Sequence, residues 1–527
     1  MKRREFFSST LPAAVTLPGL FKGFSVKAYT GSSPLIQSLL RATETDKVLV
    51  LIQLNGGNDG LNMVIPVEFY AGYQNARKNI AIPQNKLAML NGVTKTALHP
   101  AMTGLQQLYN EGKLAIIQAV GYPTPNFSHF RATDIWMSAS DSEQVLNTGW
   151  TGRYLANEYP NFPNGYPNTQ MPDPLAIQIG AVASLALQGP TMNMAMNIYN
   201  PTSFYDFLDG VADPVPDTPW GKELKYIRMM MGQTEKYSTV VRAAALRVPT
   251  QGAYPGNNDL AQQLKIVARL IKGGLKTRIY MVSTGGFDTH GGQVEEKDTT
   301  SGAHASLLGN LSNAIKAFMD DLKGLGVEDR VMGMTFSEFG RRIKSNGSFG
   351  TDHGAAAPMF VFGKNVRPGI VGNNPNIPVS TSVNDNIPFQ YDFRSIYASL
   401  LSQWFCVNET DLQTIMLKNF QNIPLAYNNA CTTTGLDDVR NAGDQLVVNY
   451  PNPFTDSTSI TFKTKGGHTL LQVMDSLGRV ARVLTDKVYA PGAYTLPFQS
   501  HGLPAGVYYA RFQNGVTQQV RSMLKVR

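Results

Sequence analysis

Residues 47–54, Lys47-Val48-Leu49-Val50-Leu51-Ile52-Gln53-Leu54, form a continuous apolar run that meets Gly56-Gly57 almost at once. A strand with apolar side chains on both faces is satisfied only inside a sheet covered on both sides, the setting of a central parallel strand. Comparable runs follow at 114–120, 175–179, 278–283, 330–336 and 359–362. Helical patterns lie between them, at 259–272 and most clearly at 303–325, where Leu307, Leu308, Leu311, Ile315, Phe318, Met319 and Leu322 share one face. This alternation predicts an α/β fold, a mainly parallel sheet sandwiched by helices over residues 45–427. In such sheets ligands collect at the carboxyl ends of the strands.

The chain has 527 residues, more than one core usually organises. From 428 to 447 the sequence turns polar and irregular, as in a linker. Beyond it, short alternating runs at 459–463, 469–474, 479–484, 492–497 and 506–512 are separated by Gly, Pro, Asn and Asp turns. They predict a small antiparallel β-sandwich over 448–527.

The formal charge of +8 sits at the two ends. Residues 1–30 carry Lys2, Arg3, Arg4, Lys22 and Lys27 against Glu5, and residues 448–527 carry nine basic against three acidic side chains. The body between them is slightly acidic. Nucleic-acid binding needs basic residues concentrated on the functional domain, so that class is set aside.

Residues 1–29 read as an export signal: Lys2-Arg3-Arg4-Glu5-Phe6-Phe7, then a small, apolar, proline-containing stretch too weakly hydrophobic for a stable membrane span. Arg3-Arg4 resemble the twin-arginine translocation signal, with Lys2 in place of the usual Ser or Thr; an ordinary basic leader is the alternative. Cleavage is expected near Ala28. The two cysteines, Cys406 and Cys431, belong to no metal-binding pattern; in an oxidising compartment they pair, and otherwise they are two buried thiols.

Three glycine-bounded turns carry the chemistry: Gly56-Gly57-Asn58-Asp59-Gly60, Gly286-Phe287-Asp288-Thr289-His290-Gly291 and Gly350-Thr351-Asp352-His353-Gly354. Carboxylates and imidazoles must converge on a divalent ion at about 2.0–2.2 Å, and glycines let distant loops meet there. Asp59, after the first strand, is a ligand or a turn residue. Asp288 and His290, at i and i+2 on an extended segment, project to one side and chelate together, unless Asp288 is a cap. His353 is a ligand, and Asp352 is a ligand or the carboxylate that orients an imidazole. Glu338, after the 331–336 run, pairs with a metal or with Arg341. His304, on the apolar helix stripe, is a hydrogen-bonded core histidine or a reserve ligand. In Asn126-Phe127-Ser128-His129-Phe130-Arg131, Ser128 is a nucleophile or an N-cap, and Arg131 is placed to hold an anion.

The ordered set of Asn55-Gly56-Gly57-Asn58-Asp59-Gly60-Leu61-Asn62, Phe127-Ser128-His129-Phe130, the Asp288/His290 turn, Ser337-Glu338-Phe339-Gly340-Arg341 and the Asp352/His353 turn resembles an exported family catalogued as domain of unknown function 1501. That family is similar to the alkaline phosphatase and sulfatase superfamily. The resemblance covers about 45–425 and implies metal-assisted attack on phosphoryl or sulfuryl esters. It aligns Asp59, Ser128, Asp288, His290 and His353 with the superfamily's site. Phe339 stands where a second-site ligand histidine would follow the carboxylate, and the Asp288/His290 spacing is shorter than in the phosphatases.

The tail motifs Tyr450-Pro451-Asn452-Pro453-Phe454, Met474-Asp475-Ser476-Leu477-Gly478-Arg479, Leu503-Pro504-Ala505-Gly506-Val507-Tyr508-Tyr509 and Leu524-Lys525-Val526-Arg527 closely resemble the C-terminal sorting domain of the type IX secretion system. A carbohydrate-binding sandwich is the alternative.

The sequence therefore predicts an exported hydrolase, found at the cell surface or secreted. Asp59, Asp288, His290, Glu338, Asp352 and His353 supply metal ligands, Ser128 and Arg131 are catalytic, and zinc leads over manganese or calcium. The expected partners are an anionic small-molecule or glycan ester, the twin-arginine and type IX machineries, and no nucleic acid. The rival is a non-catalytic surface binding protein on a degenerate hydrolase scaffold.

Overall fold

The computed structural model describes residues 46–180, 183–198, 237–427, 431 and 445–526, apart from 451, 453, 465, 477, 491 and 516. The signal segment at 1–29 and most of the 428–447 linker lie outside the described residues. Contacts divide the chain into two compact units, Thr45–Cys431 and one containing Thr432–Arg527.

In the first unit the apolar runs form β1 (Val48–Leu54), β2 (Leu114–Gly121), β3 (Ala176–Ile179), β4 (Ala195–Ile198), β5 (Ile279–Thr284), β6 (Val331–Phe336), β7 (Ala357–Gly363), β8 (Gly369–Val371) and β9 (Tyr391–Asp392). They hydrogen-bond in the order β8-β2-β7-β6-β1-β5-β3-β4, with β9 also paired to β2. β1 lies at the centre, parallel to β5 and β6, and all seven of its residues are buried.

The two-sided core follows directly from strand alternation. Leu49 and Leu51 pack into one cluster with Ile135, Trp136, Phe393 and Trp404, while Val48, Val50, Ile52 and Leu54 pack into another with Leu264, Leu311, Ile315 and Phe318. The second cluster is covered by α1 (Thr103–Asn110), α4 (Asp259–Lys272) and α5 (Ala303–Gly324). The first is covered by α2 (His129–Ser138), α3 (Trp150–Glu158) and α6 (Phe393–Gln403). The helix-covered, mainly parallel sheet is therefore as expected.

β7 departs from the parallel pattern, running antiparallel to both β2 and β6. Its apolar run reports burial on two faces, and burial carries no information about strand direction.

The second unit holds two antiparallel sheets. One is ordered β10 (Gln445–Tyr450), β11 (Ser457–Thr464), β14 (Gly492–Gln499); the other is β13 (Val480–Tyr489), β12 (Gly467–Met474), β15 (Gly506–Asn514), β16 (Thr517–Lys525). Ile460, Phe462 and Phe498 from one sheet share a core with Leu471, Val473 and Phe512 from the other. β10 begins inside the span read as linker, and β16 was not foreseen because Thr517-Gln518-Gln519 carries no apolar signal.

Two imidazoles are sealed inside the first unit. His304 Nε2 lies 2.9 Å from Asn58 Oδ1, and His99 Nδ1 accepts from the Ala101 amide at 3.1 Å. Burial lowers the His304 pKa to about 4 and the His99 pKa to about 3. Both rings are neutral when folded, whereas the unfolded chain takes up both protons near the ordinary value of 6.5. A depressed folded-state pKa contributes stability above the unfolded value and loses it as pH falls through the folded one. Urea unfolding should therefore show stability falling from pH 6.5 to 4, with a slope approaching about 2.7 kcal/mol per pH unit. A flat profile between pH 6.5 and 5 would contradict the neutral pair.

Cys406 and Cys431 form a disulfide across 25 residues, with Cα atoms 5.1 Å apart. Closing a loop of that length removes unfolded-state entropy worth about 3–4 kcal/mol. Reduction, or the Cys406→Ser/Cys431→Ser pair, should lower the calorimetric midpoint by several degrees; an unchanged midpoint would show that the bridge restrains nothing.

Candidate metal centre

The loops that follow β1, β2, β5 and β6 meet at the carboxyl edge of the sheet. Close approach is what the glycines permit: Gly56 has φ +124° and Gly57 φ +72°. A methyl group on Gly56 would strike the Asp288 backbone nitrogen, and one on Gly57 would strike the Phe339 ring.

Arg341 joins these loops. It is fully buried, with Nη1 donating to the Thr351 carbonyl at 2.8 Å and Nη2 to the Phe287 carbonyl at 3.1 Å and to Asp288 Oδ1 at 2.7 Å. Nη2 also reaches the Gly56 carbonyl, and Nε reaches that of Gly57. Burial alone would raise the Asp288 pKa; the hydrogen bond and charge of Arg341 lead the interactions that outweigh it and hold the group at about 2. Asp288 is therefore ionised at neutral pH.

Three imidazoles surround Asp288, each anchored through Nδ1 to an oxygen acceptor. His129 Nδ1 donates to Glu338 Oε1 at 2.9 Å, His290 Nδ1 to Asp352 Oδ1 at 3.3 Å, and His353 Nδ1 to the Phe127 carbonyl at 2.9 Å. With the proton on Nδ1, each ring turns an Nε2 lone pair inward. The three Nε2 atoms lie 3.5, 3.2 and 3.2 Å from Asp288 carboxylate oxygens. His290 Nε2 and His353 Nε2 are 2.9 Å apart. Lone pairs facing at that distance repel unless a proton or cation lies between them; two nitrogens on tetrahedral zinc stand about 3.3 Å apart. Burial lowers the His353 pKa, which favours the neutral ring that can ligate. Three carboxylates, Asp288, Glu338 and Asp352, stand here against one guanidinium, Arg341, a charge balance that fits a divalent ion. Ligand atoms of His129, Asp288 and His353 all lie within 4.8 Å of one another, a grouping able to hold a metal ion.

Phe339 forms the floor, its ring centroid 4.4 Å from that of His353 and 4.9 Å from that of His129.

Several expectations need correction. Asp59 is completely buried, with Oδ2 bound at 2.6 Å by both Arg77 Nη1 and Gln293 Nε2. Burial would raise its pKa, but the charge of Arg77 leads a set of interactions that bring it below the ordinary value. It serves as half of an internal ion pair instead of facing the imidazoles. Glu338 accepts from the Gly56 amide at 2.8 Å and from His129, so it stands behind the His129 ring and orients it. Asp352 orients His290 in the same way, and His304 is the hydrogen-bonded core histidine. Arg131 Nη2 donates to the carbonyls of Asp141, Ser142 and Gln144, which turns it toward that loop and away from an anion-holding task. Ser128 occupies the N-cap position of α2, yet its hydroxyl makes no capping bond and the residue is exposed.

His129 was not among the candidates read from the sequence, yet its ring stands in this cluster. Its signal was its place, one residue beyond Ser128 at the start of α2 after the β2 loop, at the same sheet edge as the acidic turns.

Residues 227–398 match the model of a protein family of unknown function, DUF1501, and residues 448–526 match that of a secretion system C-terminal sorting domain. No curated protein matches the sequence. Among solved structures, a protein in the alkaline phosphatase superfamily from Vibrio parahaemolyticus is 12% identical, with 92% of this chain and 83% of that chain covered and a TM-score of 0.32. The PsFucS1 sulfatase from Pseudoalteromonas sp. is 12% identical, with 88% and 87% covered and a TM-score of 0.31. PorZ, a surface component of the type-IX secretion system of Porphyromonas gingivalis, is 15% identical; the match covers 20% of this chain and only 14% of PorZ, with a TM-score of 0.13. At these scores nothing about activity follows from the likeness. No helix of the described residues is long and apolar enough to cross a membrane. Both resemblances drawn from the motifs are thus shown: the chain carries a DUF1501 segment and ends in a sorting domain that marks it for export.

Proposed function

We propose that this protein is an exported metal-dependent hydrolase of phosphate or sulfate esters, with His129, His290, His353 and Asp288 as the metal ligands. The observation that carries the reading is the convergence of three Nδ1-anchored imidazoles, Nε2 inward, on one ionised carboxylate. Three nitrogens and one carboxylate oxygen suit zinc; manganese or calcium would want more oxygen donors. A divalent ion bound there supplies Lewis acidity to an ester oxygen and lowers the pKa of an attacking hydroxyl or water.

The protein's own residues position the reactants. Arg341 fixes Asp288, Glu338 and Asp352 set the ring orientations of His129 and His290, and Phe339 closes the floor to water. Ser128, beside His129, presents its hydroxyl at the N-terminus of α2, where unpaired first-turn amides attract an anionic oxygen. Attack by the Ser128 hydroxyl would form an O–P or O–S bond as the bond to the leaving oxygen breaks, the hydroxyl proton passing to the leaving alcohol, and water would then displace the serine oxygen to release the anion; direct attack by water would reach the same products in one displacement. Phe130, 87% exposed next to His129, offers an apolar face to the rest of the substrate, an anionic small molecule or glycan ester. The tail supports delivery through the type IX machinery to the cell surface or medium.

The non-catalytic reading draws on the commitment of Arg131 and Arg341 to other partners. Metal bound without ester turnover would favour it.

Protein purified without chelator should contain a divalent metal by mass spectrometry, and Asp288→Ala and His353→Ala should lose it. Ser128→Ala should keep the metal while turnover of aryl phosphate or sulfate falls about 100-fold or more. Absence of metal together with turnover indifferent to these variants would remove the proposal.

Glu338→Gln retains shape but weakens the acceptor for His129. Metal affinity should drop about 10- to 100-fold by competition titration. Unchanged affinity would show that Glu338 does not support the ligand.

A further inference from the structure

The carboxylates on the inner side of this sheet edge are already committed. Asp59 Oδ2 is held by Arg77 and Gln293, and Glu338 accepts from the Gly56 amide, His129 and Ser337 Oγ. Phe339, an apolar ring, stands against His129 and His353 on the same side. Arg77 is itself locked. It is fully buried, Nη1 also donates to Asn62 Oδ1 at 3.0 Å, Nε donates to the Ile343 carbonyl at 2.8 Å, and Nη2 donates to the Arg342 carbonyl at 2.8 Å.

Deepening the metal-centre reading and resting on it, we infer that the centre is mononuclear and that Arg77 is a covalently tethered cation standing where a second ion would otherwise neutralise Asp59. A divalent ion and a guanidinium repel strongly when both sit against one fully enclosed carboxylate such as Asp59, whereas at Asp288, about half exposed beside Arg341, solvent screens the two cations from each other. Arg77 is fixed by three further acceptors and does not yield. Two buried acceptors nearby, Asp59 Oδ1 and His304 Nδ1, have no hydrogen-bond partner. A water can satisfy such acceptors without opposing Arg77, whereas an ion would oppose it. The arrangement also makes folding of the Asp59 loop independent of metal loading, because its charge is compensated from within the chain.

The test is metal stoichiometry on the full chain, by mass spectrometry after loading with excess zinc and desalting, read beside thermal unfolding. Wild type is expected to hold one equivalent, and chelation should remove it while leaving the protein folded. Arg77→Met should rise toward two equivalents and Arg77→Lys should remain at one. Should Arg77→Met fail to fold, the neutral pair Asp59→Asn/Arg77→Met decides, expected to fold and hold one equivalent. Two equivalents in wild type, one in a folded Arg77→Met, or loss of the single ion in the neutral pair would each overturn the inference. No bound metal in wild type would overturn both this inference and the metal-centre reading beneath it.

Discussion

The Arg341 guanidinium is the interaction on which the site depends. A fully buried cation is costly unless every donor is matched, and here one side chain donates to the carbonyls of Gly56, Gly57, Phe287 and Thr351 and to the Asp288 carboxylate. These acceptors belong to three loops far apart in the chain. The charge that fixes Asp288 also fixes the backbones that carry Asp59, His290 and His353. The glycines are the counterpart of this clamp, since side chains at Gly56 or Gly57 would hold the loops too far apart to share one guanidinium.

Around that clamp the charged residues divide into two layers. Asp288 faces the imidazoles, while Glu338 and Asp352 stand behind them and set which nitrogen carries the proton. A carboxylate behind an imidazole raises the donor strength of the opposite nitrogen and restricts ring rotation. Asp59 and Arg77 form a separate pair, deeper and completely enclosed. Removing either partner alone strands a buried charge.

The buried strand runs and helical stripes made the sheet legible before any coordinates, because burial on two faces writes itself into consecutive apolar residues. The antiparallel course of β7 was not legible, since a strand buried on both faces has the same composition in either direction. Asp288, His290 and His353 were legible from glycine-bounded turns after apolar runs. His129 was passed over because Ser128 beside it drew the chemical assignment. Arg131 was assigned to an anion on its fork of donors and its place after β2, and its backbone acceptors at 141, 142 and 144 emerge only when the loop after α2 is folded back on it.

By itself, the sequence determined that a parallel sheet would place several acidic and imidazole groups at one edge, and that the tail would be a separate antiparallel unit. Those properties are local, set by the spacing of apolar residues and turns. Only the tertiary structure decided which carboxylates face inward and which stand behind a ring. That choice rests on hydrogen bonds between residues as distant as His129 and Glu338, 209 positions apart. No periodicity within a strand or helix encodes such a pairing; it exists once the loops have been brought together around a shared buried charge.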